Sequence, residues 1–132
     1  MSKACPNCGH VDKKVSLSKA AAVVFANNRD FRYPEGLSPL GHTAFTTIMN
    51  VLAKHRLTYA GGSTVFHPPT SASAVLTVSY DGGDVGEAFR MEDSYAPAYK
   101  AMVSELKKIG LYSEEQTVVR SNIYPIGLRA GF

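Results

Sequence analysis

The hydrophobic pattern of the chain is helical up to residue 56, alternating from there to about residue 90, and helical again after residue 94. Apolar residues recur every three or four positions in the first region, which is typical of amphipathic helices. The first predicted helix covers Ser16–Ala26, and the second runs from about Thr43 to His55 with Thr43 as its cap. The predicted buried face of the second helix is formed by Ala44, Phe45, Ile48, Val51 and Leu52.

Strict alternation of apolar and polar residues predicts strands in the middle of the chain. Ala74–Tyr80 is the clearest strand, and Ser63–His67 is a second one, either continuous with 57–60 or following a turn at Gly61-Gly62. The glycines of 81–84 favour a tight turn, since glycine accepts a positive φ. Val85–Arg90 is therefore predicted to return as the partner strand.

A third helix is predicted after residue 94. Ser94 caps it, Pro97 lies in its first turn, and Gly110 ends it. Its predicted buried face consists of Ala98, Met102, Leu106 and Ile109. Residues 117–120 are predicted as a last strand, followed by an extended tail.

The resulting order is α-α-β-β-β-α-β. This order predicts an α+β fold, with a three- to four-stranded antiparallel sheet and helices packed on one face. We divide the chain into a polar head over 1–14, a single domain over 15–116, and a C-terminal strand and tail over 117–132.

The composition limits the classes of protein to consider. The chain has 132 residues, a hydrophobic share of 45%, a charged share of 19% and a net charge of +3. These values suit one domain with one core and exclude a disordered polycation or a coiled coil. No apolar run approaches the ~20 residues of a membrane helix, and no signal peptide is recognisable. We expect a cytoplasmic or virion-associated protein.

Both cysteines lie in the segment Cys5-Pro6-Asn7-Cys8-Gly9-His10. Two thiolates separated by two residues are typical of one half of a zinc ribbon. His10 is a candidate third ligand, and His42, His55, His67, a carboxylate or a neighbouring subunit is a candidate fourth. The predicted ion is a structural zinc at Cys5, Cys8 and His10, while a thiol pair, a disulfide or a reduced turn without metal remains an alternative.

The sequence does not favour an enzyme. It contains no His-x-x-x-His pair, nucleophile elbow, phosphate-binding glycine loop or dinucleotide fingerprint. We therefore predict a non-enzymatic protein.

Cations and aromatic residues alternate before the second helix and recur at its end. Exposed rings beside a cationic groove are how proteins bind single-stranded nucleic acid. Solvated surface charge is the alternative interpretation. The predicted nucleic-acid-binding residues are Arg29, Phe31, Arg32, Tyr33, Lys54 and Arg56.

The stretch from Phe31-Arg32-Tyr33 to Lys54-His55-Arg56-Leu57 resembles the opening of the ERF-type single-strand annealing proteins of phages, within the Rad52-like group. Arg56 stands where that family has a glycine. Residues 86–88 and 93–102 are similar to the family's last strand and following helix. The resemblance implies an α-β-β-β-α core that binds single-stranded DNA along a basic groove in ring oligomers. Double-stranded RNA-binding domains share this order, but Glu92 and Asp93 stand where they carry a lysine cluster.

Three hypotheses follow. The first is an oligomeric, non-enzymatic protein that prefers single-stranded nucleic acid. The second is a structural or assembly component of a virion or multi-subunit complex, because the predicted tail contains apolar residues that need a cover. These residues are Ile123, Tyr124, Ile126, Leu128 and Phe132. The third is a small inhibitor or adaptor that docks on a larger machine.

Overall fold

The computed structural model describes residues 17–27, 35–57, 62–69, 73–82, 85–117 and 119–126. The helices are α1 (Lys19–Asn27), α2 (Pro39–Lys54) and α3 (Pro97–Lys108), and the strands are β1 (Gly62–His67), β2 (Leu76–Gly82), β3 (Leu111–Thr117) and β4 (Arg120–Pro125). Two 3₁₀ turns, Val85–Ala88 and Met91–Asp93, lie between β2 and α3.

The four strands form one antiparallel sheet in the order β1-β2-β4-β3. Helices α2 and α3 pack against one face of this sheet, and α1 packs against α2. The predicted fold class, an α+β domain with helices on one side of an antiparallel sheet, is confirmed. The described residues between α2 and α3 contain two strands, so the α-β-β-β-α order implied by the resemblance is not what they adopt.

The core lies between the helices and the sheet. All five residues predicted for the buried face of α2 are buried, as are Ala98, Met102 and Leu106 of α3. From the sheet, Leu76, Val78 and Ile123 complete this core. The burial of Ile123 removes the argument that this residue needs a partner protein to cover it.

Helix α2 begins four residues earlier than predicted. Ser38 is its cap, and its Oγ accepts a hydrogen bond from the Gly41 N–H at 3.1 Å. Pro39 is tolerated because the first helical residues need no intrahelical donor. A Cβ on Gly41 would lie 2.6 Å from the Val75 carbonyl oxygen. Glycine therefore marks close packing here, in a first turn that precedes the predicted start at Thr43.

The segment predicted as a partner strand of β2 is a 3₁₀ turn instead. Val85, Ala88 and Phe89 are buried, and their spacing of three and four is helical rather than alternating. Residues 86–88, which the resemblance assigned to the last strand of its core, belong to this turn. The partners of β2 are β1 and β4.

The C-terminal part of the sheet contains a strand that the sequence did not reveal. Leu111–Thr117 forms a strand where no strand was predicted before residue 117, and Arg120–Pro125 returns beside it. Helix α3 spans the predicted residues, but its N-cap is Ala96, without a side-chain hydrogen bond, rather than Ser94.

Candidate nucleic-acid interface

Lys54, His55 and Arg56 follow one another at the C-terminal end of α2. Lys54 is in the last turn, His55 is the C-cap and Arg56 is the first residue beyond it. Lys54 and Arg56 are exposed, His55 is half-buried, and Leu57 is buried in the core. We call Lys54, His55 and Arg56 the basic helix end.

The backbone of Arg56 has a left-handed conformation. Its φ is 60°, which makes it the sole non-glycine residue with a positive φ among those that the structure describes. The Arg56 N–H donates to the Ala53 carbonyl at 3.1 Å, and the Leu57 N–H donates to the Leu52 carbonyl at 2.8 Å. This is the hydrogen-bonding pattern of a helix that ends in a Schellman motif, where the left-handed position usually holds glycine.

Arginine at this position costs stability. A left-handed backbone brings Cβ close to the following carbonyl oxygen, at a cost of about 1 kcal/mol for a residue other than glycine. The neighbouring Leu57 is fixed in the core, so the chain cannot relax by unwinding the motif. An exposed side chain on a strained backbone is a starting point for a functional hypothesis.

The cations of the basic helix end have no described acidic partner. The salt bridges among the described residues are Arg90–Asp93 at 3.9 Å and Lys108–Glu105 at 2.9 Å. Lys54 and Arg56 are in neither of them. The unsatisfied carbonyls of the helix end favour a cation near Lys54, which accounts for that residue on structural grounds. They do not account for Arg56, which lies beyond the last turn.

Four of the six predicted nucleic-acid-binding residues, Arg29, Phe31, Arg32 and Tyr33, lie outside the described residues. So do the predicted zinc ligands Cys5, Cys8 and His10. The structure places Lys54 and Arg56 together at the end of α2. No group of three metal-ligating side chains occurs within the described ranges.

The sheet face that points away from the helices carries polar and aromatic side chains. His67 Nε2 lies 3.0 Å from Ser79 Oγ, and the Thr77 hydroxyl donates to Asn122 Oδ1 at 2.7 Å. Desolvation and the nearby Arg120 guanidinium lower the pKa of His67, so this imidazole is neutral at pH 7.

Two tyrosines continue this face toward the edge of the sheet. The rings of Tyr112 and Tyr124 stack across β3 and β4 with centroids 5.5 Å apart, and the Tyr124 hydroxyl accepts a hydrogen bond from Asn122 Nδ2 at 3.2 Å. The sequence analysis did not single out Tyr112, and it considered Tyr124 only as an apolar residue of the predicted tail. The signal that was available is the alternation within 120–125, which places Arg120, Asn122 and Tyr124 on one face.

Arg90 is half-buried, and its guanidinium lies beside an aromatic ring of the core. Its guanidinium carbon lies 5.6 Å from the centroid of the Tyr80 ring, on the helix-facing side of the sheet. The Tyr80 hydroxyl lies 2.7 Å from Ser121 Oγ. Burial raises the pKa of Tyr80 to about 12, so this phenol remains protonated at neutral pH.

Among the residues that the structure describes, no helix combines the length and the apolar content that a membrane span requires. No family model, curated protein or solved structure matches the chain. The functional argument therefore depends on the side chains themselves.

Proposed function

We propose that this chain is a non-enzymatic nucleic-acid-binding protein that prefers single strands and acts as an oligomer. Lys54 and Arg56 hold phosphates of the strand. Arg29 and Arg32 hold further phosphates, while Phe31 and Tyr33 stack on bases. The observation that carries the proposal is Arg56, an exposed cation on a left-handed backbone where glycine is the stable choice.

The chemistry of the basic helix end suits a phosphate backbone. A guanidinium donates two parallel hydrogen bonds to phosphate oxygens, and an ammonium supplies a compact charge beside it. Carboxylates would compete for these groups, but Lys54 and Arg56 form no salt bridge with a described carboxylate. We place this activity in the cytoplasm or in a virion.

The first test is the salt dependence of binding. Each neutralised phosphate of a single strand contributes about −0.7 to the slope of log K against log salt. The four proposed cations therefore predict a slope of about −2.8. Fluorescence anisotropy with a labelled single-stranded oligonucleotide and with a duplex of the same sequence measures it. No binding at about 50 mM salt, or binding that salt does not weaken, would refute the proposal.

The second test is Arg56→Gly, which removes the cation and keeps the backbone conformation. We expect the affinity for the single strand to fall about fivefold or more, because a charge-assisted hydrogen bond is lost. Lys108→Gln is the matched control, since it removes one exposed positive charge that already pairs with Glu105. Equal loss in both variants would mean that only net charge matters.

The second candidate function is assembly within a larger complex. Met91, Tyr95 and Val103 are exposed apolar side chains, with 66%, 75% and 46% of their surface accessible. Surfaces of this kind are typical of protein contacts. A pull-down that returns one stoichiometric partner, with no binding of oligonucleotide, would favour this function or that of a docking adaptor.

Structural zinc at Cys5, Cys8 and His10 stays a prediction from the sequence. Two thiolates and an imidazole suit zinc, and the fourth ligand is not assigned. Metal analysis of the purified chain tests it. About one zinc per chain that is lost in Cys5→Ser and Cys8→Ser would support the site, and metal-free protein purified under reducing conditions would refute it.

A further inference from the structure

The described methionines differ sharply in exposure, which decides whether hydroperoxides reach their sulfur atoms. Met91 begins the 3₁₀ turn before α3, and 66% of its surface is accessible. Met49 and Met102 lie in the core, with 1% and 0% accessible. The fourth methionine, Met1, lies outside the described residues. A hydroperoxide therefore reaches the sulfur of Met91 in the folded domain, whereas the two core sulfurs become accessible only when the domain opens.

Two hydrogen bonds hold Met91 in place on the surface. Its N–H donates to a carboxylate oxygen of Glu115 on β3 at 2.8 Å. Its sulfur accepts a hydrogen bond from the Tyr99 hydroxyl on α3 at 3.4 Å. The backbone and the sulfur are thus fixed to different elements of the domain, so the thioether has a defined orientation although it is exposed.

The contact with Tyr99 makes the two sides of the sulfur unequal. A thioether sulfur has two lone pairs, and the Tyr99 hydroxyl donates its hydrogen to one of them. Addition of oxygen at one lone pair or at the other gives sulfoxides of opposite handedness. Because the tyrosine occupies one position, oxygen is expected to add at the other.

We infer that Met91 is an oxidation site for hydroperoxides, and that the Tyr99 hydroxyl directs the oxygen to one side of its sulfur. The free lone pair attacks the oxygen of the hydroperoxide that bears hydrogen, so a sulfur–oxygen bond forms and the oxygen–oxygen bond breaks. The proton moves to the other oxygen, which leaves as water or as an alcohol. The thioether is oxidised to a sulfoxide, and the hydroperoxide is reduced.

The position of Met91 makes this modification compatible with the folded domain. A sulfoxide is polar, and a polar group at Met49 or Met102 would disrupt the packing of the core. At Met91 the added oxygen lies at the surface, where water solvates it. Reductases of methionine sulfoxide each accept one handedness, so a single epimer at Met91 is a substrate for one of them. The inference goes beyond nucleic-acid binding and does not depend on it.

Treatment with hydrogen peroxide tests the site. The folded chain is sampled over time and digested, and mass spectrometry follows each methionine peptide. We expect Met91 to be oxidised at least about tenfold faster than Met49 and Met102, because buried sulfurs react only through opening. In urea the three rates should converge. Circular dichroism should show a folded domain once Met91 is oxidised. Equal rates at the three methionines of the folded chain would overturn the inference.

The two epimer-specific reductases test the direction of attack. Applied separately to the oxidised peptides, one of them should reduce most of the Met91 sulfoxide. Tyr99→Phe removes only the hydroxyl, so both epimers should form in similar amounts and the rate should rise about twofold.

Tyr95→Phe is the matched control for Tyr99→Phe. It removes the hydroxyl of an exposed tyrosine near Met91 that does not donate to the sulfur. The ratio of epimers and the rate of oxidation should stay as in the unaltered chain. An even mixture of epimers in the unaltered chain, or a ratio that Tyr99→Phe leaves unchanged, would overturn the directing role of Tyr99.

Discussion

The two long helices of this domain both end at a residue with a left-handed backbone, but the residue differs. Beyond α2, Arg56 has a φ of 60°, and beyond α3, Gly110 has a φ of 79°. In both, the left-handed residue donates its N–H three residues back, to Ala53 at 3.1 Å and to Lys107 at 2.9 Å. The α3 end uses the residue that costs least in this conformation. The α2 end does not, although each helix end meets the same steric requirement. Under the proposed function, the Arg56 side chain binds phosphate, which would account for this difference.

The largest effect on stability is expected from Gly110→Arg, which places arginine at the left-handed position after α3, as it is after α2. A Cβ at position 110 meets no atom within 4 Å, so the cost is that of the backbone conformation alone. We expect the free energy of unfolding to fall by about 1–2 kcal/mol. Urea denaturation followed by circular dichroism measures it. A loss much above this range would mean that the two helix ends are not comparable.

The reverse substitution, Arg56→Gly, should stabilise the domain. Removing Cβ relieves the strain, so we expect the free energy of unfolding to rise by about 1 kcal/mol. The same urea experiment measures it, alongside the oligonucleotide affinity, which should fall. Greater stability combined with weaker binding separates a binding role from a structural one. Unchanged stability would contradict the assignment of strain at this residue.

The double variant Arg56→Gly with Gly110→Arg keeps the net charge and moves one arginine between the helix ends. We expect the two stability changes to add, because the sites are distant and independent, which leaves a net loss of about 1 kcal/mol or less. Helix α2 begins beside Val75, and α3 ends just before Leu111, at the same end of the sheet. The two helices are therefore antiparallel, and their C-terminal ends lie at opposite ends of the sheet. Oligonucleotide affinity should stay as low as in Arg56→Gly alone. If the double variant binds the oligonucleotide as well as the unaltered chain does, the location of this arginine does not matter for binding.

The sequence predicted the helices well because their apolar residues follow one continuous period. The predicted buried face of α2 is confirmed, and so is that of α3 except for Ile109, which is half-buried. The sheet was predicted less completely because two buried residues of β4 are polar. Ser121 is hydrogen-bonded to Tyr80, and Asn122 is hydrogen-bonded to Thr77. Hydrophobic alternation does not reveal a strand whose buried residues are polar.

For the candidate site, the sequence predicted which residues take part but not the backbone conformation that positions them. Lys54 and Arg56 were expected because cations cluster at the end of α2, and the structure shows both of them exposed. The left-handed backbone of Arg56 was not foreseen, because sequence patterns associate that conformation with glycine or asparagine. The resemblance to the ERF-type family drew attention to position 56, where arginine stands in place of the family's glycine, but it did not predict the backbone conformation there.

The smallest effect is expected from Lys54→Gln. Helices α2 and α3 both have lysine in the last turn, Lys54 in α2 and Lys107 with Lys108 in α3. A cation near the helix C-terminus stabilises by about 0.3 kcal/mol at low salt, and added salt screens it. Urea denaturation at low and high salt should therefore show a small loss in Lys54→Gln that disappears at high salt. Lys107→Gln should show a similar or smaller loss, because Lys108 remains. Oligonucleotide affinity, by contrast, should fall in Lys54→Gln and not in Lys107→Gln. If Lys54→Gln and Lys107→Gln bind the oligonucleotide equally well, the phosphate contact at the end of α2 is made by Arg56 alone.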